Sequence, residues 1–196
     1  MSPGRLNALT DGVVAIVLTI MVLELKFPAQ PTLHAVVAVL PLLAAYLLAF
    51  VNVAIYWNNH HHLMQAARKV TGGVLWANHA LLFWLTLFPL MIRWIDEAGL
   101  AAWPVASFGI VLVGAAISFQ LLERALIAAE GEQSRIRSAV GSGMKERLSF
   151  VLYVASIPAA FVSPIISLGI FVLVSIWWII PDRRFERESA KSPGDA

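Results

Sequence analysis

From Leu33 to Trp57 the chain runs without a single Asp, Glu, Lys or Arg. That stretch exceeds the roughly 20 residues an α-helix needs to cross the hydrocarbon core of a bilayer. Further apolar runs follow at 6–25, 70–95 and 101–122, with two shorter ones at 148–163 and 165–180. In hydrocarbon the backbone finds no water, so a spanning segment is a helix or a strand of a closed barrel. The runs lack the dyad alternation of barrel strands, and the chain reads as an all-α integral membrane protein with six transmembrane helices. With 59% hydrophobic and 13% charged residues, it lies far from the composition of soluble domains.

The last two runs could form one helix, but about 33 residues would make a rod of about 50 Å, longer than a bilayer requires. Pro158 and Ser163-Pro164 sit where a tight re-entry turn belongs. Six spans also agree with the charges. All but two of the 14 Lys and Arg residues fall at the N-terminus, in the second and fourth loops and in the tail; Lys26 and Arg93 are the exceptions. Basic residues stay on the cytoplasmic side, so both termini are expected there. Arg5 ahead of an apolar run could be read as a signal peptide, but Glu24 and Lys26 close that run and no small-x-small cleavage site follows. Residues 1–182 are thus expected to form one transmembrane domain. The loop 123–147 is too short for a domain of its own, and residues 183–196 form a charged, disordered cytoplasmic tail.

Asp11 stands inside the first apolar segment. An ionisable group at membrane depth costs several kcal/mol unless it faces protein or water, and by default it marks a functional site. At 100° per residue Gly12, Ile16, Thr19 and Leu23 share one stripe, with Ile20 at its margin, while Asp11 lies with Ala15, Leu18 and Val22. Arg5 and Asp11 are too far apart round the helix to pair, so their partners must come from other helices. Spacing alone reads the Ile16 stripe as lipid contact or bundle packing.

The second span ends in Trp57-Asn58-Asn59-His60-His61-His62, as expected of an aromatic belt with a solvated polar end. Asn78, well inside the third span, needs a hydrogen-bond partner from a neighbouring helix or a water. Consecutive histidines point 100° apart and cannot converge on one ion, so no metal site is expected; a histidine pairing with Asp11 is. Cysteine is absent, and no phosphate loop, nucleophile elbow, metalloprotease helix or TVGYG-like filter occurs. Enzyme activity, cofactors and nucleic-acid partners are not expected.

The pattern Arg5-x-x-x-Leu9-Thr10-Asp11-Gly12 resembles the RxxxFSDG signature of the transmembrane protein 175 potassium channels, in their bacterial branch. The likeness continues through Ala15-Ile16, Leu23-Glu24-Leu25-Lys26 and Pro28, then Trp57 with His60, and Asn78 with Pro89. Leu9 replaces the family's Phe and Thr10 its Ser. The resemblance implies a homotetramer in a bacterial plasma membrane, with four first helices around a pore for potassium, and for other monovalent cations or protons. Carried over by position, Ile16, Ile20 and Leu23 form apolar gate rings, with Thr19 a hydroxyl ring between them. Arg5, Thr10, Asp11 and Gly12 belong to the motif that holds the first helix near Trp57, His60 and Asn78. The competing readings are a proton-coupled secondary transporter, for which Asp11 and the histidines would be the relay, and a membrane scaffold without transport.

Overall fold

Long stretches of Leu, Ala and Met, with prolines confined mostly to first turns and loops, favour helix along nearly the whole chain. The computed structural model describes residues 1–26, 28–29, 31–131 and 143–179. These residues form α1 (Pro3–Leu23), α2 (Leu33–Ala66), α3 (Gly72–Thr86), α4 (Phe88–Ala98), α5 (Ala102–Glu130), α6 (Met144–Val162) and α7 (Pro164–Ile179). Thr32 caps α2 by accepting from the Ala35 N–H at 3.2 Å, and Thr71 caps α3 in the same way. Among the described residues, four units are long and apolar enough to cross a membrane: α1, α2, the Gly72–Ala98 stretch and α5.

Several boundaries differ from those read off hydropathy. α2 continues past Trp57 to Ala66, and α5 past Leu122 to Glu130. Helix ends are set by caps and propensity, and Gln, Glu, Arg and Ala extend a helix after the apolar run has stopped. The expected third span is two helices meeting at Leu87, because Pro89 has no N–H to continue the ladder; the Leu87 N–H bonds to the Trp84 carbonyl at 3.2 Å instead. Pro158 lies inside α6, and the break comes at Ser163, whose extended backbone precedes Pro164. The tail at 183–196 and the middle of the 123–147 loop lie outside the described residues.

α5 is the central element, packed on α3, α4, α6 and α7, whereas α1 rests on α2, α3 and α4. Phe108 of α5 joins two neighbours, its ring centroid 5.4 Å from Phe88 of α4 and 5.4 Å from Phe171 of α7. α3 approaches α5 closely because Gly114 leaves room for the Trp84 ring. A Cβ at that position would lie 2.2 Å from the ring. Between membrane helices such packing does the work that water-driven burial does in soluble proteins. Gly114→Ala is therefore expected to cost about 1–3 kcal/mol through overpacking. The readout is a lower apparent melting temperature in detergent, with little change for Gly169→Ala, where nothing lies within 4 Å.

Candidate functional site

One face of α1 is held by the bundle and the other is bare. Leu6, Thr10, Val14, Val17 and Met21 recur every three or four residues and are buried. On the other face Ile16 is 59% exposed, Ile20 41% and Leu23 78%, and Gly12 and Thr19 are exposed as well. The Thr19 hydroxyl bonds back to its own helix, at 3.0 Å from the Ala15 carbonyl and 2.9 Å from that of Ile16. Ile16 and Ile20 also line a groove of about 390 Å³ against Thr86, Pro89 and Leu90 of the α3–α4 break. The stripe therefore leans towards α4.

At the N-terminal end of α1, Thr10 is the centre of a buried polar cluster. Its hydroxyl donates to the Leu6 carbonyl at 3.1 Å and accepts from Asn78 Nδ2 at 3.1 Å. His60 Nε2 lies 2.8 Å from Asn78 Oδ1 and 3.4 Å from the Thr10 hydroxyl. An amide oxygen only accepts, so the ring proton sits on Nε2; Nδ1 is buried without a partner among the described residues. Asn78, fully buried, thereby ties α3 to α1 and α2 at once.

Asp11 makes a second tie. Its Oδ1 accepts from Trp57 Nε1 at 2.8 Å and its Oδ2 from Asn7 Nδ2 at 2.9 Å. The expected pairing of Asp11 with a histidine is not the one formed. Asp11 is half-buried on the rim, beside the tryptophan, while His60 points inward to an amide. Arg5, expected in the same network, is exposed, and its side chain makes no hydrogen bond or ion pair among the described residues. Asn7 is not among the expected partners, although its spacing of four from Asp11 is the ordinary signal for a helical pair. The three histidines diverge: His61 stacks on Trp57 with centroids 5.7 Å apart and reaches Gln65 at 2.8 Å.

At the other end of α1, Lys26 Nζ lies 3.7 Å from Glu97 Oε1, which also accepts from Arg93 Nε at 2.9 Å. All three side chains are about half exposed or more, so the tie is weak.

The family model described as endosomal/lysosomal potassium channel TMEM175 matches residues 5–89, the segment that carries this geometry. A potassium channel from Chryseobacterium sp. is 46% identical over 187 residues, covering 95% of this chain and 97% of that protein. The chain belongs to the TMEM175 family. A potassium channel from Streptomyces collinus is a more distant family relative, 26% identical over 89% of this chain and 90% of its own. The fold matches a crystal structure, that of a lysosomal potassium-selective channel TMEM175 homolog from Chamaesiphon minutus. The TM-score is 0.78 at 23% identity, covering 91% of this chain and 96% of that one. This TMEM175-family chain is thus a multi-pass membrane protein, and its relatives carry the names of channels, not enzymes.

Proposed function

We propose that the chain is the subunit of a potassium-permeable cation channel of the bacterial plasma membrane, a homotetramer in which four copies of α1 surround the pore. The observation that carries this reading is the two-faced α1, clamped by Thr10 and Asp11 on one side while Ile16, Thr19, Ile20 and Leu23 stay uncovered on the other. Only one copy of the motif occurs in the chain, so a symmetric pore requires several subunits. The relatives' names support the permeant ion. Rings of isoleucine and leucine exclude water when narrow, and pass ions when the helices shift by a few ångströms. Such a filter sorts ions by the cost of shedding hydration water, which is lower for potassium than for sodium. The arrangement has six membrane crossings, α3 and α4 counting as one, within residues 1–182, and a cytoplasmic tail at 183–196.

The test is flux into liposomes that contain only the purified protein. Potassium is expected to run down its gradient without a coupling ion. Flux that requires a proton gradient would indicate a carrier, and its absence a scaffold. The skewed distribution of Lys and Arg supports cytoplasmic termini. Reporter fusions at residues 65, 135 and 190 are therefore expected to read cytoplasmic and one near 98 external; a periplasmic C-terminus overturns the six-span layout.

A further inference from the structure

A cleft between α2, α5, α6 and α7 lies behind α2 as seen from α1, at the end of the bundle that holds Trp57 and His60. No α1 residue lines it, so it stands apart from the site described above. Its walls are aromatic, with Tyr56, Phe119, Tyr153 and Trp178, and its rim carries the carboxylate of Glu146 from the first turn of α6. The volume is about 40 Å³, room for a few heavy atoms.

The polar groups of the cleft divide into two sets. Those on the floor are spent within the bundle. Asn52 Nδ2 donates to the Leu48 carbonyl at 2.8 Å and to Ser175 Oγ at 3.0 Å, and Asn52 Oδ1 accepts from the Tyr153 hydroxyl at 3.4 Å. Ser149 Oγ accepts from Trp178 Nε1 at 2.9 Å. Those near the rim keep acceptors free. Asn59 uses its Nδ2 on the Ile55 carbonyl at 2.8 Å, which leaves its Oδ1. The side chains of Glu146 and Gln120 make no hydrogen bond among the described residues. Three acceptors, one of them charged, thus stand over aromatic walls.

We propose that this cleft binds a short primary alkylammonium ion. An ammonium has three N–H donors and no acceptor, which matches Glu146, Gln120 and Asn59. Its alkyl part suits the ring faces, whose negative quadrupole also attracts the charge. The chain supplies a precedent at the rim, where the Lys145 ammonium lies 4.8 Å from the centroid of the Trp178 ring. The carboxylate disfavours anions, and a bare metal ion would find too few free oxygens to replace its water.

The probe is n-butylammonium chloride, titrated against the purified full-length protein in zwitterionic nanodiscs. Binding is read by saturation-transfer NMR after subtraction of empty discs. A dissociation constant on the order of 1 mM is expected, with neutral n-butanol at least about tenfold weaker. Glu146→Gln is expected to weaken binding about tenfold, whereas Lys145→Gln, which removes a competing positive charge, is expected to strengthen it. Gln120→Trp fills the cleft and carries the test if Glu146→Gln does not fold; a folded Gln120→Trp protein is expected to lose binding. The proposal is overturned by absence of saturation transfer in the unaltered protein, by n-butanol binding as tightly, or by unchanged binding in a folded Glu146→Gln or Gln120→Trp protein. Liposome flux is a separate readout, so failure here and failure of the channel reading are distinguishable.

Discussion

Ile16→Asn is expected to raise potassium flux through the reconstituted protein by about tenfold for each 1.4 kcal/mol removed from the barrier, and to erode discrimination against sodium. On the channel reading Ile16 contributes one side chain per subunit to an apolar ring, and an amide there hydrates the constriction. Ile16→Ala should act in the same direction by widening it. The control is Leu18→Asn: Leu18 is partly buried against the core, so an amide there disturbs packing without any gain in flux. The chain has no cysteine, which allows a direct check. Single cysteines at positions 16, 20 and 23 are expected to react with permeant thiol reagents, and one at 18 to be protected. The opposite pattern ends the pore-wall reading.

Asp11→Ala is the second large effect, and it should appear as instability. The substitution strands the Trp57 and Asn7 donors, which now bond to a carboxylate. Charge-assisted hydrogen bonds are about twice as strong as neutral ones; with Asp11 only half-buried, the loss is expected to be about 2–3 kcal/mol. Thermal unfolding in detergent, with size-exclusion chromatography, reads both the loss and any fall in oligomer yield. Asp11→Asn keeps an acceptor and should be milder. Trp57→Phe keeps the ring and loses only the N–H, and the double mutant should be less damaged than the two single losses together imply. If Asp11→Ala instead assembled normally with altered ion selectivity, the carboxylate would belong to the ion path.

The parts of this structure legible in sequence are those governed by local periodicity. The membrane-length runs and the shared stripe of Gly12, Ile16, Thr19 and Leu23 follow from counting residues along a helix, and Asn78 announced its need for a partner because an amide in an apolar span must find one. Which partner it finds depends on how three helices rotate against one another, and no single helix records that. Hence Asp11, expected to pair with a histidine, takes a tryptophan, while His60 turns to Asn78 and Thr10. The Leu87 break was written in Pro89 but hidden by unbroken hydropathy across it. Likewise α2 and α5 outlast their apolar runs because hydropathy reports where lipid ends, whereas propensity and capping decide where a helix ends.

The stronger polar ties of α1 gather at one end, and on the channel reading that makes the helix a lever. Its fulcrum is the Thr10–Asn78–His60 cluster with the Asp11–Trp57 tie, where several bonds act together. The far end packs through Val17 and Met21, and its side-chain polar tie is the surface pair of Lys26 with Glu97, a bond comparable to thermal energy. Leu23 stands about 20 Å along the axis from Thr10, so a tilt of roughly 5° about the fulcrum swings it sideways by about 2 Å. On the channel reading, a displacement of that size separates a dry apolar ring from a wet one. If α1 lines the pore as proposed, substitutions around Thr10 are expected to change conduction from a distance, by altering the angle at which the arm rests and not the side chains at its tip.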